Sequence, residues 1–597
     1  MDGLILEPLK FYNSVARQKH ENLAQEHFDS LIARSGVNVE ENKRTVAAYD
    51  AVQLQLNELK KRIQNRKNLY GLLIALAIIG IVLFVIGIYV IIDGNTGRGV
   101  LLLSIGSVAA VVGFVVAFVT LRPRIKAAEL QKSKLMAESQ KLYEQAMGQM
   151  ASLNALYDDT DTLKIIEKTI PQLKFDRAYS NEREDELRED FDYVSFTGNE
   201  TSIVNTLSGT MFGNPFIFER YLVHQMGTCA YHGTLTIMWT EHYRDKDGHL
   251  RTRTRTQVLT ASVVKPKPYY SVKTHLGFGS VAAPDLTFTR GESDTDELSE
   301  REMQRKIRKG EKKLQKKARD ALKKGESFQE MTNSEFDVLF DATDRDHEVQ
   351  FRLMYTPLAQ KNTLDLLRSK DGYGDDFNFY KLKRYNIIKS VHAQNWDMDI
   401  STSRYVTHSV ELSRKKFLDF NATFFKSIFF DFAPLIAVPA YQDEPTYSLK
   451  DPKPYKSYYP SYEHESLANM IGDGVFAHER SGTCAILKTS ILEQNNGVDR
   501  VAVTAYSYAT ENRVDLVPVL GGDGNIHSVP VHWIEYIPIR KQSDMLVKAL
   551  NHTSREFADK SGGSMPQNGA YFHGMLAYAP TAKQAWEQIN QTFEKYI

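Results

Sequence analysis

The sequence predicts an α+β protein. Its expected parts are an N-terminal helical stalk with a two-helix transmembrane hairpin, then a large cytoplasmic α+β region with antiparallel sheet. Three observations predict this. Two uncharged apolar runs occupy 72–92 and 100–121, amphipathic periodicity flanks them, and from about residue 158 the texture becomes short alternating runs divided by turn residues. At 597 residues the chain exceeds what one core usually fills, so several folded units are expected.

Residues 1–70 read as a cytoplasmic helical arm. A helix from about 9 to 34 ends at Ser35-Gly36 and can fold back on the helices of the stalk. Val46, Tyr49, Val52, Leu56, Leu59 and Ile63 then recur at alternating three and four spacing, giving a second helix one apolar stripe.

Residues 71–121 form the hairpin. Each run, 72–92 and 100–121, is long enough to cross a hydrocarbon core of about 30 Å. The turn-forming segment between them, 93–99, has room only for a tip. Lys60, Lys61, Arg62, Arg66 and Lys67 precede the first run, and Arg122, Arg124, Lys126, Lys132 and Lys134 follow the second. The tip carries Arg98 beside Asp93. Positive residues stay inside, so the sequence predicts a multi-pass protein of the cell membrane with both termini cytoplasmic. Gly80 and Gly87 in the first run, and Gly106, Ala110 and Gly113 in the second, make small-residue stripes that let helix backbones approach. Packing within one hairpin and assembly between subunits both use such faces. An ion path through one hairpin would lack its usual residues, because neither run holds Asp, Glu, Lys, Arg or His.

Residues 122–157 read as a cytoplasmic helix packing on the N-terminal arm, through Ile125, Ala128, Leu135, Leu142, Ala146, Met150 and Leu153. An antiparallel coiled coil continuous with the spans is the expected stalk. Self-association through the same stripes is the competing use.

In 158–597 the segment 234–264 reads as a hairpin turning at 245–248. Near the end, 501–509, 513–520 and 527–539 read as a meander with turns at Glu511-Asn512 and at 521–524. Helices are expected at 363–370, 412–432 and 581–596. The phenylalanine-rich 417–432 stretch is interrupted by Asp419, Asn421, Lys426 and Asp431, so it reads as a buried helix and not a third span. An interfacial helix is the alternative. The region could hold two subdomains.

The stretch 334–390 contains Glu335-Phe336-Asp337, Phe340-Asp341 and Tyr355-Thr356-Pro357, then Phe377-Asn378-Phe379-Tyr380. It resembles a bacterial two-span membrane family known only as domain of unknown function thirty-one thirty-seven. The resemblance implies the same plan of helical arm, two spans and cytoplasmic domain, and brings no activity with it. Tyr355 stands where that family more often has leucine, and the charged helical segment 291–330 looks like an insertion.

Lys and Arg total 74 against 74 Asp and Glu, so no whole-chain basic field exists for nucleic acid. Two cysteines, Cys229 and Cys484, fit a reducing compartment and no disulfide framework. Each lies in Gly-Thr-Cys-Ala, and Pro-Lys-Pro-Tyr occurs at 266–269, after the first copy, and at 452–455, before the second, so the order is reversed the second time. Coincidence is the default explanation, and two related β units are the alternative.

The basic run 301–324 is the main candidate binding feature. Arg305, Arg308, Lys309, Lys312, Lys313 and Lys316 are the expected contacts for anionic lipid or a partner. A thin stripe of Met303, Ile307, Leu314 and Ala318 also allows a plain protruding helix, and nucleic acid is the remaining alternative. Arg251, Arg253 and Arg255 share one strand face and are expected to pair with acids such as Glu241. Asp341, Asp344, Asp346 and Glu348, or Asp371, Asp375 and Asp376, could gather a hard cation, but neither set has calcium-loop spacing. His464-Glu465 and His478-Glu479 lack the His-Glu-x-x-His spacing, and no phosphate-loop or nucleophile-elbow motif occurs. No catalytic residue, cofactor or metal is therefore predicted.

The expected function is a membrane-anchored cytoplasmic scaffold or regulatory binding module. An enzyme using histidines such as His464, His478 or His532 in one cleft is the alternative. An oligomeric two-span channel is a second.

Overall fold

The computed structural model describes residues 4–93, 95–194, 198–244, 246–247, 249–325, 328–395, 398–443, 460–495, 497–550 and 568–580. The helix expected at 581–596 and the second Pro-Lys-Pro-Tyr, at 452–455, lie outside them. The fold is α+β, with a helical N-terminal region holding two long apolar helices and antiparallel sheets in the C-terminal part. Two compact units divide the chain: Phe28–Tyr157 with Thr402–Asp419, and Met1–His27 with Asp158–Ser401 and Phe420–Ile597. The arm expected over 1–70 is thus shared between them, with its first 27 residues in the sheet-bearing unit.

In the helical unit, Asn38 begins the 54-residue helix Val39–Ile92 by accepting from the Glu41 amide. The returning path runs through Thr96–Val115, a π-helical turn Val116–Leu121, and Arg122–Asn154. Val52, Leu56 and Ile63 are buried along one path, and Ala128, Ala146, Met150 and Leu153 along the other. Gln53 donates to the Ser139 hydroxyl (2.7 Å), and Lys67 pairs with Glu129 (2.7 Å). The stripes read as arm contacts are therefore used within the chain.

The apolar stretches pack through their small residues. A Cβ at Gly80 would lie 2.5 Å from the Ala110 nitrogen, and one at Gly113 would lie 2.8 Å from the Leu73 oxygen. At Gly87 it would meet the Leu103 nitrogen at 2.8 Å. Only glycine permits that backbone proximity. The bulky residues point away, with Ile92 77% and Val119 67% exposed.

The sheet-bearing unit has twelve strands among its described residues. β1 (Leu173–Phe175), β2 (Thr201–Met211), β3 (Asn214–Arg244), β4 (Leu250–Gly279), β5 (Thr287–Arg290), β6 (Phe377–Leu382) and β7 (Tyr385–Ser390) form one sheet, in the order β1-β2-β3-β4-β7-β6-β5. β8 (Ile486–Asn495), β9 (Val498–Leu520), β10 (Ile526–Ala549), β11 (Gly569–Phe572) and β12 (Met575–Tyr578) form the other, in the order β11-β12-β10-β9-β8. Every pairing is antiparallel.

Two hairpins run far beyond the sheets. β3 and β4 stay in register from Phe216↔Phe278 to Arg244↔Leu250, a ribbon of roughly 90 Å at the usual rise per residue. β9 and β10 pair from Val498↔Lys548 to Leu520↔Ile526. The turn expected at Glu511-Asn512 is absent, because β9 continues through it. Glu511 faces Glu535 across the ribbon, and Arg513 bonds both (2.9 and 2.7 Å). A cross-strand cation stabilises there a polar pair that looked like a turn. The turn read at 521–524 does close the ribbon.

A two-stranded ribbon is marginal alone. These two bury Ile237, Leu259 and Val529 against each other. A Cβ at Gly233 would stand 2.1 Å from the Pro530 oxygen, so the backbones touch where they cross. Lys265 adds an ion pair to Asp515 (2.7 Å) and lies over the Trp533 ring. Glu241 accepts from Arg253 and Arg255 at 2.7 Å each, which is the pairing the alternating arginines implied.

The phenylalanine-rich helix runs Val410–Ile436, and in this unit it fills the core. Phe424, Phe425, Phe429 and Phe432 are buried, and Phe432 meets Phe216 and Phe218 edge-on. Its buried Asp431 accepts from the Ser390 hydroxyl (2.6 Å), and the backbone carbonyl of Asn421 meets His20 (3.1 Å). The helix expected at 363–370 instead spans Pro357–Leu367, since Thr356 caps the Ala359 amide and Pro357 suits the first turn.

Candidate functional site

The basic run folds as one helix, Glu300–Lys324, begun by a capping box between Ser299 and Glu302 and ended at Gly325 in the left-handed region. Met303, Ile307, Leu314 and Ala321 are its buried stripe. Its neighbour is the short helix Ser334–Phe340, and a Cβ at Gly310 would lie 2.3 Å from a Val338 methyl. Between them opens a cavity of about 400 Å³, lined by Lys306, Lys309, Gly310, Lys313, Leu314, Lys317, Val338, Asp341 and Thr343.

Helical phase sorts the six residues singled out from sequence. All six are exposed; Lys309 and Lys313 line the cavity, and Arg305, Arg308, Lys312 and Lys316 lie outside it. Two lysines that were not singled out join them. Lys306 bonds Ser293 (2.9 Å), Asp294 (3.0 Å) and Thr295 (3.2 Å), while Lys317 donates to the Thr343 carbonyl and lies over the Phe328 ring. The buried stripe could have shown this from sequence, since lysines three or four apart beside it must share a face. Opposite them, burial raises the Asp341 carboxyl above its ordinary range, and Lys313, Lys306 and Lys317 pull it back.

The acidic sets separate into structural pairs. Asp344 accepts from the Thr289 amide (2.8 Å), and Asp346 from the Thr287 amide (2.7 Å). Glu348 bonds Arg345 (2.8 Å). Asp375 pairs with buried Arg290, and Asp376 with His392. Among the described residues no group of His, Cys, Asp and Glu could hold a metal ion.

The three histidines of the enzyme alternative do not share a cleft. His464 is buried 3.5 Å from Asp499, His478 accepts from the Arg480 amide (3.1 Å), and His532 is exposed on β10. Other buried acid–histidine pairs lie in the core, with His275 2.8 Å from Glu219 and His573 3.1 Å from Glu463. Glu463 accepts from the Tyr179 amide (2.8 Å), Thr206 (3.0 Å) and His573 (3.1 Å).

A second cavity, of about 360 Å³, is lined by Tyr12, Arg17, His20, Glu21, Asp371, Tyr373, Ala422, Thr423, Phe425 and Lys426. Behind it, Tyr373 stacks on His392 at 3.9 Å. His392 stands between Asp376 (2.6 Å) and Asp431 (3.4 Å). Burial pushes the Asp431 carboxyl up to about 6 against the pull of His392. For His392, burial works downward, but Asp431 and Asp376 outweigh it and raise the imidazole. Between its ordinary value and its raised one, each group holds a proton in the folded chain that the unfolded chain releases. Their stabilisation is present in acid and is lost as pH rises through the folded values. Asp431→Asn keeps an acceptor for Ser390 and cannot ionise. It is expected to gain stability relative to the parent as pH rises from about 5 to about 8. Thermal unfolding in detergent checks this, and a difference that stays constant with pH contradicts it.

No family model, curated protein or solved structure matches this chain.

Proposed function

We propose that the chain is a membrane-anchored binding module, a scaffold or regulatory protein whose two apolar helices cross the bilayer as a hairpin. Both termini and the sheet-bearing unit lie in the cytoplasm. One observation carries this reading: only 17% of each apolar window is buried, and the residues it buries are the small ones. A soluble core helix would bury its large side chains. Here leucine, isoleucine and valine face outward in a continuous band, which suits lipid as solvent. The flanking lysines and arginines, absent from the tip except for Arg98, supply the orientation. The two-span family that 334–390 resembles has this same plan. Partner capture belongs to the sheet-bearing unit, because the arm stripes are occupied by each other.

Cysteine labelling tests the reading with residues the chain already has. Cys484 is exposed and Cys229 half-buried, both in the sheet-bearing unit. In intact cells a membrane-impermeant maleimide should label Asn95→Cys and leave Cys484 unlabelled until lysis. Labelling of Cys484 in intact cells, or recovery of the chain in the soluble fraction without detergent, refutes the anchored topology.

A further inference from the structure

We propose that the cavity between the Glu300–Lys324 and Ser334–Phe340 helices is a binding site for a phosphate dianion, borne by a lipid headgroup or by a soluble phosphorylated compound. This names a ligand class for the binding module. Its lipid form rests on the anchored reading, and its soluble form does not.

Charge and geometry together carry the argument. Four lysines and one carboxylate line the cavity. Lys306 is met by Asp294 at 3.0 Å, which leaves Lys309, Lys313 and Lys317 against Asp341. Two positive charges are therefore unbalanced, and a phosphate monoester carries about −1.5 to −2 at neutral pH. Neither Lys309 nor Lys313 has a hydrogen bond or ion pair among the described residues. Lys306 and Lys317 are instead held in place by Ser293, Thr295 and Thr343, giving the cavity fixed charges beside two that can close on a guest. The remaining wall is closely packed. Gly310 lets the two helices approach, and Leu314 and Val338 form the apolar floor. Lysine ammonium groups bind phosphate as point charges, and low-dielectric walls strengthen them. The four lysines that turn toward this half-open cavity are the ones flanking the buried stripe, with Arg305, Arg308, Lys312 and Lys316 left outside.

Lysine acetylation of the full chain, read residue by residue by mass spectrometry, tests the site. The first arm uses detergent-purified protein and inorganic phosphate. The second uses nanodiscs of phosphatidylcholine with and without phosphatidic acid, and no free phosphate. Lys309 and Lys313 should be protected while Lys312 and Lys316 react as before. Asp341→Asn should lower the phosphate concentration needed by about tenfold, as removal of a nearby like charge predicts. Lys309→Gln with Lys313→Gln should abolish phosphate protection of Lys306 and Lys317 without moving the unfolding midpoint. Protection in the phosphatidic acid discs alone assigns a lipid headgroup, and protection by free phosphate assigns a soluble ligand. Equal protection of Lys312 and Lys316, or no protection in either arm, overturns the proposal. The detergent arm does not depend on membrane topology, so its failure and a failed cysteine-labelling result are separate outcomes.

Discussion

Replacing Arg345 by methionine is expected to cost about 3–5 kcal/mol of stability, because it strands two buried carboxylates without their cation. The Arg345 side chain has no exposure. It bonds Asp337 at 2.6 Å, Glu348 at 2.8 Å, and the carbonyls of Gln329 (2.7 Å) and Ala342 (3.2 Å). Phe328 and Phe351 sandwich the guanidinium at 4.7 and 4.4 Å from their ring centroids. Lysine cannot substitute, since the planar fork serves several acceptors at once. Unfolding of the detergent-solubilised chain by denaturant measures the loss. Asp337→Asn should also destabilise, and Arg345→Met with Asp337→Asn should cost clearly less than the sum of the two. Strict additivity, or a single-variant loss below about 1 kcal/mol, would mean these charges are effectively solvated. All three charges lie between residues 337 and 348, so this short stretch folds around a packed ion cluster.

Gly106→Leu is expected to force the two apolar helices apart. A Cβ there would stand 2.6 Å from the Phe84 nitrogen and 2.7 Å from the Gly80 oxygen, and backbone cannot yield as a side-chain tip can. Overpacking of this kind costs about 1–3 kcal/mol, and it propagates here because Gly80, Gly87, Gly99 and Gly113 share the same seam. In lipid or detergent no hydrophobic term between helices offsets the lost contact. The midpoint of SDS-induced unfolding in mixed micelles should fall markedly for Gly106→Leu. It should stay put for Gly71→Leu, where nothing lies within 4 Å of the added Cβ. Equal shifts in the two variants would show that the seam does not hold the hairpin.

Much of the architecture was legible in the sequence because it depends on neighbours along the chain. The apolar runs announce themselves by length, and the glycines by their spacing within those runs. The phenylalanine-rich helix could be kept out of the membrane because its polar interruptions would be stranded in lipid, and Asp431 finds a core partner in Ser390. Reading failed where a partner came from elsewhere. Glu511-Asn512 resembles a turn until Arg513 and Glu535 are placed across the ribbon, and the two hairpins extend as far as they do because each shields the other.

The candidate site shows the same division. Sequence alone determined that a long basic helix exists over 301–324 and that two uncharged stretches are each long enough to span a bilayer, since composition, periodicity and length are local properties. Only the tertiary structure decided which lysines face a cavity, that Asp341 lies opposite them, and that His392 stands between Asp376 and Asp431. Those outcomes depend on helical phase and on which distant segment packs against it, and electrostatics between side chains is set by separation in space, not along the chain.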